Sequence, residues 1–159
     1  MNILSFNLLL AVVWASLWGE FTLFSLGAGY IVGFIALWLV QPLIGTSGYF
    51  GRVFAWIKLI VMFLYDLVVS SLHVAVDVIT PTHRSRPGVI EMPLDVKTDA
   101  GILLVTNLIS LTPGTLSLDI SPDRKRLSVH VMFLDDPDAL CKELKTGVEQ
   151  RVINAVETY

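Results

Sequence analysis

Residues 21–40 read FTLFSLGAGYIVGFIALWLV, twenty consecutive positions without a formal charge. At about 1.5 Å of rise per residue, a helix of that length covers a hydrocarbon core of roughly 30 Å. The stretch predicts a membrane-spanning helix. Just before it, Ile3 to Trp18 is equally free of charge, and Gly19-Glu20 forms a short polar break, so the first forty residues read as a helical hairpin. A cleaved signal peptide is the competing reading of the first run. That run lacks a basic n-region and a small-x-small cleavage site, which favours its retention.

Working outward, a third apolar stretch from Val53 to Ile79 contains Lys58, Asp66, His73 and Asp77. The polar residues are ordered. At about 100° per residue, Ser70, His73 and Asp77 fall within roughly 40° of Asp66 on one helical face. Lys58 lies about 80° from that stripe, where its long side chain can snorkel to the headgroups. An ionised carboxylate in hydrocarbon is costly, so Asp66 requires another helix, a basic partner or a hydrated cavity. Asp66 and His73 are therefore candidates for steps in a cation or proton route, or else for interhelical hydrogen bonds, with Asp77 near the interface. In the second helix, Ser25, Gly29 and Gly33 form a small-xxx-small row that predicts close helix packing.

Of the 159 residues 54% are apolar and 16% charged, and the charges are unevenly placed. Up to Thr80 there are two basic and three acidic side chains; the remaining 79 residues hold nine and eleven. Neither half is basic enough to suggest a nucleic-acid partner, and the first half has membrane lipid as its partner. Arg84 and Arg86, directly after the third stretch, favour a cytoplasmic C-terminal half, although Arg52 and Lys58 dilute that bias from the opposite side. The expected location is the cell membrane, multi-pass, with the N-terminus outside. Cys141 is the single cysteine, which excludes an internal disulfide and suggests a place on a helix face. Three scattered histidines and no nucleophile–base pair leave no expected metal, cofactor or catalytic residue, so an enzyme is not expected.

Residues 81–88 carry two prolines, a glycine and two arginines and read as a connector. After it, Val89 to Leu94 reads as a strand that Pro93 confines to a sheet edge or its end. Ala100 to Leu111 is apolar but only about twelve residues long before Pro113-Gly114, which suits a buried or interfacial helix better than a span. Alternation then marks strands at Leu116 to Ile120 and Leu127 to Phe133, joined by a basic hairpin loop at Arg124-Lys125-Arg126. Asp136-Pro137 is a helix start, with Asp136 as cap, and Leu140, Leu144, Val148 and Val152 repeat at fourfold spacing. The predicted fold class is a membrane α-helical region of three transmembrane helices (about 3–18, 21–40 and 53–79, within 1–80) and a small C-terminal α+β domain, βαββα, over 89–159.

The run Asn107-Leu108-Ile109-Ser110-Leu111-Thr112-Pro113-Gly114-Thr115, followed by Leu127-Ser128-Val129-His130, resembles the E subunit of the Mrp-type multisubunit sodium/proton antiporter. The resemblance extends over essentially the whole chain. It implies membership of a hetero-oligomeric bacterial or archaeal membrane complex that exchanges Na+ for H+, with the other antiporter subunits as partners. The residue chemistry of Thr112, Pro113, Gly114 and Thr115 reaches less far: it predicts a helix-to-strand reversal with a structural or docking role. Three spans without an internal repeat are poorly equipped to alternate access alone. The expected function is an accessory, non-catalytic subunit supporting assembly, with Asp66 or His73 lining part of the cation route. The alternative is a membrane-anchored scaffold or signalling module whose cytoplasmic domain binds a soluble partner.

Overall fold

The computed structural model describes residues 3–44, 48–81 and 85–157. Arg84 and the middle of the expected connector lie outside them. The chain divides into two compact units, Met1–Gly51 and Arg52–Tyr159. Most of the third helix thus belongs with the C-terminal domain, although the polarity of the sequence changes about thirty residues later.

In the first unit, α1 (Ile3–Trp18) turns into α2 (Leu23–Ile44). Gly19 makes the reversal at φ +69, and the N–H of Glu20 returns to the Ala15 carbonyl at 3.2 Å. The helices meet through their smallest residues. Ala11 and Ala15 are buried, and a Cβ added at Gly29 would stand 2.7 Å from the Trp14 Cβ and 3.0 Å from the Ala11 Cα. At Gly33 the added atom would meet the Asn7 Oδ1 and, at 3.1 Å, the Leu10 Cβ. The Ser25 N–H is held by the Thr22 hydroxyl at 3.1 Å. Asn7, fully buried, donates to the Tyr49 hydroxyl at 3.2 Å, which in turn lies 2.6 Å from the Tyr30 hydroxyl. Because the α1 backbone occupies the space opposite Gly33, Gly33→Leu is expected to separate the helices at a cost of about 3 kcal/mol. A detergent melting curve of wild-type midpoint for that variant would count against this packing.

Leu23–Leu43 and Gly48–Ile79 are long and apolar enough to cross a membrane. Their apolar side chains are largely exposed, Leu23 at 89% and Leu43 at 86%, as expected of surfaces that meet lipid rather than water. α1, at sixteen residues, extends about 24 Å.

The second unit contains α3 (Gly48–Ile79) from Arg52 onward and a three-stranded antiparallel sheet of order β1-β3-β2. Its elements are β1 (Gly88–Pro93), α4 (Asp99–Leu111), β2 (Thr115–Ile120), β3 (Arg126–Val131), α5 (Pro137–Leu144), a π turn (Lys145–Glu149) and α6 (Gln150–Val156). Strand, helix, strand, strand and a terminal helix follow in the expected order, the last helix being widened by the π turn. Pro93 ends an edge strand, where its missing N–H breaks no ladder bond. Asp136 caps α5 by accepting from the N–H groups of Asp138 and Ala139, and Thr98 caps α4 by accepting from that of Gly101.

Met92, Val105, Ile109, Leu127, Val129 and Val152 form the centre of the core between the sheet and α4 and α6. One strand departs from the reading by periodicity. Leu116 and Leu118 are 48% and 52% exposed, whereas Ser117 faces α4, donating its hydroxyl to the Thr106 carbonyl at 3.0 Å and its N–H to the Ser110 hydroxyl at 3.1 Å. The cause lies at the start of the strand. Thr115 must face α4 to bond the helix end, so the period of two turns Ser117 the same way and Leu116 outward.

The segment joining β1 to α4 is held by two carboxylates from the terminal helix. Glu149 Oε1 accepts from the N–H groups of Asp95 and Val96 at 2.6 and 3.0 Å, and Lys145 pairs with Asp95 at 2.8 Å. The hydrogen bond to Asp95 is the main cause of a raised Lys145 pKa. Glu157 Oε1 accepts from the N–H groups of Lys97 and Thr98 and from the Thr98 hydroxyl. Burial alone would raise the Glu157 pKa, but the bonds from Thr98 and Lys97 together outweigh it and hold the carboxyl below the ordinary glutamate range. A depressed carboxyl pKa stabilises the fold at neutral pH, and this stability is lost as pH falls through the folded-state value. Glu157→Gln is therefore expected to make the acid-side fall in melting temperature shallower, as read by thermal unfolding between mildly acidic and neutral pH; an unchanged slope would contradict this.

Candidate functional site

The polar face of α3 meets the C-terminal domain at a cavity of about 290 Å³. Asp66, Ser70 and His73 line it from α3, Thr112 from the end of α4, Thr115 from the start of β2, and Glu143 and Arg151 from the terminal helix. Arg151 Nη1 donates to Asp66 Oδ2 at 2.7 Å, with 20% of the arginine and 33% of the aspartate side chain exposed. The basic partner that a carboxylate on this helix requires thus comes from the same chain. Its attraction is partly screened, which places it at about 1–2 kcal/mol, between the values typical of surface and of buried pairs.

The expected stripe spreads over two neighbouring cavities. Asp66 and Ser70 line the first, His73 lines both, and Asp77, 4% exposed, lines the second of about 270 Å³ with Thr80, Phe133 and Asp135. A further groove of about 390 Å³ lies at the opposite end of the sheet, and there Asp99 and Arg124 are already bonded to each other.

The turn after α4 reverses the chain with its polar groups engaged. The Thr112 N–H bonds the Ile109 carbonyl at 3.2 Å and its hydroxyl that of Leu108 at 2.9 Å. The Thr115 hydroxyl is within bonding distance of the Ile109 carbonyl, 2.6 Å, and the Thr112 carbonyl, 3.0 Å. Pro113 follows the cap, where no helical N–H is needed, and Gly114 takes φ +90. Its carbonyl accepts from Met132 N–H at 2.8 Å, which ties the turn to the residue after β3. Carbonyls left over at a helix end are satisfied in this way by the two threonines.

Arg151, Glu149 and Asn7 are the polar residues that sequence reasoning passed over. A lone asparagine in an otherwise apolar run was a signal for Asn7. Arg151 had none, because its partner lies 85 residues away. Among the described residues no group of three His, Cys, Asp or Glu side chains could hold a metal ion.

The model of the family MNHE, described as Na+/H+ ion antiporter subunit, matches residues 7–155. The chain belongs to this family. A relative from Alkalihalophilus pseudofirmus, named as the E subunit of a Na(+)/H(+) antiporter, is 30% identical over 95% of this chain and 96% of its own. Another antiporter E-type subunit, from Staphylococcus haemolyticus, is 34% identical over 92% of each chain. Among solved structures, a chain of the Mrp complex from Dietzia sp. aligns with a TM-score of 0.51 and 27% identity, covering 65% of this chain and 96% of that one. A chain of the membrane-bound sulfane sulfur reductase, an archaeal respiratory membrane complex, aligns over 97% of both chains with a TM-score of 0.57; at 24% identity this likeness concerns the fold. As a member of MNHE, the chain is a membrane-embedded subunit of a multisubunit Na+/H+ antiporter.

Proposed function

We propose that this subunit is accessory and non-catalytic: it supports assembly of the antiporter, and its Asp66 holds the C-terminal domain against α3 rather than passing ions. The observation that carries this reading is the pairing of Asp66 with Arg151 at 2.7 Å. A carboxylate engaged by a guanidinium is a poor carrier, because a passing cation must first displace an always-charged partner. The engagement of the Thr112 and Thr115 hydroxyls by backbone carbonyls supports a structural role for the turn as well.

The same reading has three crossings, an external N-terminus and a cytoplasmic domain in the cell membrane. α1 serves as the third crossing in a locally thinned bilayer, and the exposed Arg86 at the membrane-proximal end of β1 fits the positive-inside bias. The partners are the other subunits of the complex, and Na+ and H+ are the ions the complex carries. Purification of the tagged chain in mild detergent is expected to bring down several larger polytopic subunits. Recovery of a stable monomer alone would overturn the proposal in favour of a membrane-anchored scaffold.

A further inference from the structure

Resting on the reading that the chain sits among other subunits, we propose that the cavity beside Asp66 receives a lysine side chain of a neighbouring subunit. With His73, which also lines it, counted as neutral, the cavity carries the carboxylates of Asp66 and Glu143 against the one guanidinium of Arg151, an excess of one negative charge. Asp66 spends its Oδ2 on Arg151, and Glu143 has no ion-pair partner among the described residues. Two of the neutral groups are biased in the same direction. Thr112 and Thr115 direct their hydroxyl protons to backbone carbonyls, so toward any further partner their oxygens act as acceptors. The Ser70 hydroxyl can accept as well as donate.

An ammonium group matches this set, with three donors, no acceptor and a compact charge. Its four-carbon stem suits walls that also include Val69, Leu140 and Leu144. At about 290 Å³ the space exceeds what a bare ion fills and leaves room for the stem. The charge complementarity is local, since the domain as a whole is only mildly acidic.

The test is zero-length cross-linking of the intact complex in membranes. A water-soluble carbodiimide activates the Glu143 carboxyl, an adjacent amine attacks the activated carbon, and an amide forms as the reagent leaves as a urea, having taken up the elements of water. The expected product, read by peptide mass spectrometry, joins Glu143 to a lysine of another subunit and disappears in Glu143→Gln. In parallel, Glu143→Lys is expected to lower the recovery of partner subunits several-fold while the chain itself still inserts. Attachment of Glu143 to the ethanolamine of a lipid, to a lysine of this chain, or to nothing in a complex that co-purifies intact would overturn the inference and leave the assembly role standing. Absence of any co-purified subunit would overturn both.

Discussion

Glu149→Ala is expected to destabilise the C-terminal domain by about 3 kcal/mol, which for a chain of this size corresponds to roughly 8 °C in melting temperature. Glu149 is 1% exposed, and one of its oxygens accepts both the Asp95 and Val96 N–H groups. Removing it strands two donors, one of them buried, and opens a cavity in a helix that also carries Arg151 and Val152. Glu149→Gln keeps an acceptor oxygen and is expected to recover about half of the loss. The measurement is thermal unfolding in detergent, paired with hydrogen exchange at residues 94–98. A loss under about 1 kcal/mol, or unchanged protection of that segment, would show that the clamp matters less than its geometry implies.

The second large effect is expected at the contact between α3 and the domain. Arg151→Ala leaves the Asp66 carboxylate two-thirds buried without its cation and is expected to cost about 2 kcal/mol; Asp66→Ala should cost about the same. Because both variants remove one interaction, the double variant is expected to cost less than the two added together, with a coupling of about 1–2 kcal/mol. Strict additivity would mean that the 2.7 Å contact contributes nothing to holding the domain.

Much of the architecture was legible because local patterns carry it. The uncharged run at 21–40, the Gly19-Glu20 break, the Asp136-Pro137 helix start and the Pro113-Gly114 reversal each depend on neighbours in sequence, and each has its counterpart, the helix of the first running from Leu23 to Ile44. Three features depend on distant partners and were not legible. Ser117 faces α4 because Thr115 is bonded to the helix end, so the apolar alternation of Leu116 and Leu118 reports the exposed side of the strand. The polar stripe of α3 was visible by its helical period, and so was its need for company; that Arg151 supplies it could not be read from a helix interrupted by a π turn. Nor did spacing indicate that Asp66 and the Thr112–Thr115 turn share a cavity. The Gly29 and Gly33 row signalled close packing, and the helix it meets is α1 of the same chain.

The exposed side of β2 continues onto its register partners. Leu116 lies beside His130 and, across it, Val89, and Leu116 and Val89 are both about half exposed.

The most direct test of an accessory role for Asp66 is sodium-dependent proton exchange measured per assembled complex after Asp66→Asn. Asparagine keeps an oxygen for Arg151 but loses the charge. The expected result is a lower yield of assembled complex with wild-type exchange in each complex that forms. Assembly at wild-type yield with exchange abolished would contradict the account and place Asp66 on the ion route.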